Sequence, residues 1–97
     1  MNKYGENARR PVGDYVNIAF KLINEENDLG AIVVFKRVVE TYPKYIGLII
    51  NLAKLYQKTK QDNKAIDTYK LAIQLSKKLK LGQEEDFKKE IKKLKNN

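Results

Sequence analysis

The chain can be laid over itself without a gap at a shift of 34 residues, which sets Ala19 on Ala53, Ala31 on Ala65 and Phe35 on Tyr69. Placing residues 12–45 over 46–79 extends the match to Tyr15 on Ile49, Asn17 on Asn51, Ile18 on Leu52, Leu22 on Tyr56, Ile32 on Ile66 and Val39 on Ile73. A fixed period of this length means stacked repeats, so fold and broad kind of function follow together. Most of the matched positions are apolar. Within each unit two small residues, Ala19 and Ala31, then Ala53 and Ala65, sit among larger apolar residues at three- and four-residue spacings. That pattern suits two helices crossing closely, a helix–turn–helix with a small residue on each arm.

These residues resemble the tetratricopeptide repeat, a 34-residue unit with an aromatic-x-x-Leu-Gly/Ala-x-x-Tyr arm, an Ala-x-x-x-Phe/Tyr-x-x-Ala arm and a proline. Repeat one offers Tyr15, Ile18, Ala19, Leu22, Ala31, Phe35 and Pro43; repeat two offers Ile49, Leu52, Ala53, Tyr56, Ala65, Tyr69 and Ala72. Departures are Lys77 in place of the second proline, Val38 in place of a small residue, and Glu26 and Lys60 in place of the turn glycine. The resemblance implies an all-α, right-handed α-α superhelix. Its expected layout is an N-terminal tail over residues 1–10 and one domain over 11–97, with repeat one at 12–45, repeat two at 46–79 and a capping helix at 83–96.

Composition narrows the function. At 97 residues, 42% of them hydrophobic, there is material for one modest core. No run of about 18 apolar residues and no basic-apolar-small leader is present, so neither a membrane span nor a secretory signal is expected, and a cytoplasmic address follows by default. The absence of Cys forbids disulfides, and the absence of His and Cys together removes the usual transition-metal ligands, nucleophiles and general bases. The five glycines, Gly5, Gly13, Gly30, Gly47 and Gly82, stand singly and form no phosphate loop. A non-enzyme without cofactor or metal is expected.

Five helices can be placed along the chain. Pro11 suits the first turn of a helix running to about Glu26, and Asn27-Asp28 can cap a second ending near Tyr42. Val33, Val34, Val38 and Val39 alone would suggest a strand, but register with the helical segment Ala65–Leu75 overrides that preference. Pro43 is expected at the start of a third helix reaching Lys58, Asp62 or Asn63 at the cap of a fourth ending near Lys80, and Gly82 at its close. A fifth opens on Glu84, Glu85 and Asp86 and ends in Lys92, Lys93 and Lys95, the charge order a helix dipole favours. Its Phe87, Ile91 and Leu94 make one apolar face, as a capping helix needs.

The resemblance also implies a binding surface, because in tetratricopeptide arrays the first helix of each repeat lines a concave groove that takes peptides. The corresponding residues are Gly13, Val16, Asn17, Phe20, Ile23 and Asn24 in repeat one, and Gly47, Ile50, Asn51, Lys54, Gln57 and Lys58 in repeat two. Asn17 and Asn51 match a family asparagine whose amide can bond a ligand backbone, or alternatively a neighbouring helix or water. The first helix is apolar over most of its circumference. Once Tyr15, Ile18, Ala19 and Leu22 are assigned to the core, Val16, Phe20 and Ile23 are left facing the groove, to be covered by a ligand, by the tail or by further repeats. Val16 and Phe20 hold two positions that a carboxylate clamp would need polar. A peptide or amphipathic helix with apolar anchors therefore fits better as partner.

Two further surfaces are marked. Val33 and Val34 align with Asp67 and Thr68, so the outward side of repeat one lacks the polarity of repeat two. This hints at self-association, a homodimer through the N-terminal repeat, or at packing against residues 1–10. The net charge of +8 is concentrated late: residues 1–53 carry seven basic and six acidic groups, residues 54–97 thirteen and six. A nucleic-acid partner is the alternative this raises. It is disfavoured because only three of the twenty basic residues are Arg and the lysine-rich last helix has a single aromatic, Phe87, which its core face needs.

Overall fold

The computed structural model describes residues 12–96, among which five helices follow one another: α1 (Val12–Asn24), α2 (Asp28–Thr41), α3 (Ile46–Lys58), α4 (Asp62–Leu79) and α5 (Glu84–Lys95). Residues 1–10, including Arg9 and Arg10, and Pro11 lie outside the described residues. Each helix packs on the next, α1 on α2, α2 on α3, α3 on α4 and α4 on α5. Alternate helices therefore share a side of the stack: α1, α3 and α5 line one, α2 and α4 the other. Ala19, Ala31, Ala53, Ala65 and Ala72 are all fully inaccessible. Small side chains at these crossings let the helices approach closely enough for Phe35 and Tyr69 to be buried beside them.

The turns repeat as faithfully as the core. Glu26 and Lys60, the residues standing in for turn glycines, both adopt φ 61°. In each turn the residue in this left-handed conformation and the one after it close a Schellman motif: Glu26 N–H to Ile23 C=O and Asn27 N–H to Leu22 C=O in repeat one, Lys60 N–H to Gln57 C=O and Gln61 N–H to Tyr56 C=O in repeat two. A third copy ends α4. There Lys80, at φ 57°, rather than Gly82, is the left-handed cap, and Leu81 N–H reaches Ser76 C=O.

Other expected ends also move. α3 begins at Ile46, not Pro43. Pro43 lies inside a turn in which Tyr45 N–H bonds to Tyr42 C=O at 3.3 Å, where its fixed φ is equally at home. Asn27 caps α2 through its side chain, which accepts from Gly30 N–H at 3.0 Å. A Cβ on Gly30 would meet that side chain at 2.7–2.9 Å, so a larger residue there would make the Asn27 amide shift. α4 is capped by Gln61 rather than by Asp62 or Asn63. No side-chain cap bond forms there; Gln61 Nε2 donates to Thr59 Oγ1 at 2.9 Å.

Ile18 departs from its core assignment. It is 38% exposed, whereas its repeat-mate Leu52 is 4% exposed. Leu52 lies in α3, which stacks on the preceding α2; among the described residues α1 has no preceding hairpin to cover Ile18. At the other end the cap is complete. Phe87, Ile91 and Leu94 are buried, and the Phe87 ring stacks on Tyr69 at 6.1 Å between centroids. Ser76, fully buried, accepts from Gln83 N–H at 2.9 Å and donates to Glu84 Oε1 at 2.6 Å, tying the start of α5 to the end of α4.

Candidate functional site

The expected groove residues form a three- and four-residue stripe on α1 and its copy on α3, and both helices lie on the same side of the stack. On α1, Gly13, Asn17, Phe20 and Asn24 are exposed, while Val16 and Ile23 are half-buried against the core. On α3, Gly47, Lys54 and Lys58 are exposed, and Ile50, Asn51 and Gln57 are half-buried. Asn17 and Asn51 make no side-chain hydrogen bond among the described residues. Their amides are not committed to a neighbouring helix.

Three groove residues have structural contacts that the repeat pattern alone did not announce. Phe20 is 45% exposed, but its ring meets the buried Phe35 edge-on at 5.8 Å. Gln57 accepts from Tyr69 Oη–H at 2.5 Å. Lys58 pairs with Asp28 at the start of α2, 3.2 Å from Oδ2, across the two repeats. The repeat alignment does carry a trace of the first two: Phe35 comes with Phe20 and Ile23 on α1, whereas Tyr69 comes with Lys54 and Gln57 at the matching places on α3. Burial, with a smaller contribution from the Glu90 carboxylate, pushes the Tyr69 phenol up to about 12. Its hydroxyl therefore stays a donor.

Two apolar areas lie outside this stripe. At the open end of repeat one, Val33 is 67% and Leu29 64% exposed, and Tyr15, Val33, Val34 and Arg37 line a shallow depression. Of the two valines singled out by the sequence, Val33 is exposed and Val34 half-buried. A second depression, absent from the sequence reading, runs between α2 and α4 over Val39, Pro43, Ile49, Leu71 and Leu75. No group of His, Cys, Asp and Glu among the described residues could hold a metal ion, and no described helix is long and apolar enough to cross a membrane.

The sequence matches no protein-family model and none of the curated proteins. The fold does match solved structures. A crystal structure of a tetratricopeptide repeat domain protein from Salinibacter ruber is 26% identical and superimposes with a TM-score of 0.73 over 91% of this chain and 98% of its own. A solution NMR structure of a tetratricopeptide repeat domain protein from Salinibacter ruber, also 26% identical, gives 0.77 over 91% and 89%. With paired helices, repeated turns and a cap in place, this chain is a tetratricopeptide-repeat fold of two repeats and a capping helix. Such a fold supports a protein-interaction module in general.

Proposed function

We propose that the chain is a non-enzymatic module that binds a peptide or helix of a partner protein along the side lined by α1 and α3. The observation that carries this reading is Phe20. An aromatic ring with nearly half its surface open, spaced one turn from the half-buried Val16 and Ile23 on the same helix, is an anchor point that the core does not require in full. Asn17, Asn51 and Lys54 beside it supply donors for a ligand backbone and carboxylates. Panning a phage-displayed library of random peptides on the protein tests the proposal. Peptides should be selected that bind wild type and lose binding to folded Phe20→Ser and Ile50→Asp variants. Selected peptides indifferent to both variants would move the site elsewhere.

A second reading, self-association through repeat one, is favoured by the exposure of Leu29, Val33 and Ile18 on one end of the stack. Sedimentation equilibrium decides it. A dimer that Val33→Asp converts to monomer would support it, and a monomer at every concentration would remove it.

A further inference from the structure

The side of the stack lined by α2 and α4 differs between the two repeats. At the 34-residue shift Leu71 and Leu75 on α4 take the places of Arg37 and Thr41, and Gln74 takes that of Glu40. Two leucines thus stand where the other hairpin carries a cation and a hydroxyl, so the repeat fold itself does not demand them. Ala65, Tyr69 and Ala72 are the enclosed residues of α4, each at most 1% exposed, whereas Leu71 is left 50% open. α4 also runs for 18 residues where α2 has 14, one helical turn more, and in that added turn Leu79 is 40% exposed. Leucines at 71, 75 and 79 recur every four residues and so follow one edge of the helix.

Leu71 and Leu75 line the depression between α2 and α4, together with Val39, Pro43 and the buried Ile49. Its volume is about 220 Å³, and a neighbouring depression of about 300 Å³ shares Pro43 and is lined by Tyr42 and the half-exposed Tyr45. Both lie at or below the low end of the roughly 300–1,000 Å³ of pockets that enclose small molecules, which points to side chains of a larger partner. The charges lining them have one sign. Lys78 borders the first and Lys44 the second, neither makes an ion pair among the described residues, and no described carboxylate lines either. Glu40, beside Val39 in sequence, and Asp67, one turn before Leu71, line neither. An apolar surface bordered by two unpaired ammonium groups is complementary to an apolar segment flanked by carboxylates. We propose that this face is a second docking site, for an amphipathic helix of a partner protein that presents leucine-like side chains at i and i+4 with Asp or Glu beside them. A helix is the fitting form because the depression lies between two helices, whose side-chain ridges leave a groove into which a third can pack. The site stands on other residues than the groove of α1 and α3 and does not depend on that reading.

The test is to pan the intact chain with a phage-displayed library built on an alanine-rich helical peptide, randomised along one face. Selected peptides should carry large apolar residues at i and i+4 with Asp or Glu beside them. Synthesised with a fluorescent label, they should bind Leu71→Arg, which installs the side chain that repeat one carries at Arg37, at least about tenfold more weakly by anisotropy. Lys44→Glu/Lys78→Glu should weaken them by a similar factor, and their affinity for wild type should fall as sodium chloride rises. Both variants alter exposed side chains and should keep the wild-type circular dichroism spectrum. Binding to Phe20→Ser should be unchanged, which separates this site from the groove. Recovery of no peptides, or only of peptides that bind wild type and Leu71→Arg alike, would overturn the site, and loss of those peptides in Phe20→Ser would leave the groove standing alone. Peptides sensitive to Leu71→Arg but free of acidic residues and indifferent to the lysine variant would overturn the acidic partner. Self-association of the wild type in sedimentation equilibrium that Leu71→Arg abolishes would replace the partner helix with a second copy of this chain.

Discussion

Phe20 and Phe35 meet edge to face, with centroids 5.8 Å apart and planes 85° apart, one ring half in solvent and the other fully enclosed. The open half is free for a ligand, and the edge contact holds the ring at a fixed angle to receive one. Phe20→Ser removes both. Losing the aromatic pair and the partial burial should cost about 1–2 kcal/mol of stability, leaving the chain folded. Peptides selected on wild type should lose about 2 kcal/mol of binding, roughly thirtyfold. Circular dichroism melts and peptide titrations on the same preparation separate the two effects. A variant that unfolds outright would place Phe20 in the core rather than on the surface.

The crossing of α3 admits nothing larger than a methyl group, since Ala53 is wholly enclosed. Ala53→Leu should overpack it at a cost of about 1–3 kcal/mol, seen as a lower melting temperature. An unchanged melt would mean that the helices cross elsewhere.

Much of this was legible in the repeat. The alanines, Phe35 and Tyr69 declare the hairpins because a small residue at a crossing and a large one beside it recur at a fixed spacing. Val33, Val34, Val38 and Val39 are helical despite their branching because that register outweighs local preference. What the repeat could not give was anything decided by local competition. Pro43 suits a turn as well as a helix start, and Gln61 spends its amide on Thr59. Ile18 looks like Leu52 in sequence but is not stacked upon.

Glu26 and Lys60 hold φ 61° at matching turns, a conformation in which a Cβ is costly. Glycine at either position should raise stability by about 0.5–1 kcal/mol, the relief of that strain exceeding the entropy glycine adds to the unfolded chain. Gly82→Ala, at φ 73°, should act in the opposite direction. Urea titrations of the single variants check the signs, and a destabilised Lys60→Gly would show that its side chain contributes more than its backbone costs.

Ser76 is a fully buried hydroxyl with two partners, the Gln83 N–H and the Glu84 carboxylate. Ser76→Ala leaves both without it at the joint between α4 and α5. The expected loss is about 1–3 kcal/mol. Hydrogen exchange should locate it, with amides of α5 exchanging faster than those of α3. Uniform acceleration throughout the chain would mean that the cap and the repeats unfold as one unit and that this joint is not a separate weak point.

Tyr69 donates from a phenol that burial first, and Glu90 second, pushes up to about 12. The unfolded chain releases that proton near the ordinary value of 10.0, so the folded state holds it while the unfolded state gives it up. The sign follows. The stability contributed by keeping the phenol neutral is fully present below about pH 10 and is lost as pH rises from there through about 12. The chain has five other tyrosines, so the comparison must be with Tyr69→Phe. That variant gives up the bond to Gln57 and should be the less stable protein at neutral pH, by about 1 kcal/mol. Its stability should also fall less steeply above pH 10, because the group that resists ionisation is gone. Urea midpoints for the two proteins across the alkaline range read both effects. Parallel curves would show that Tyr69 ionises as readily in the folded stack as in the unfolded chain.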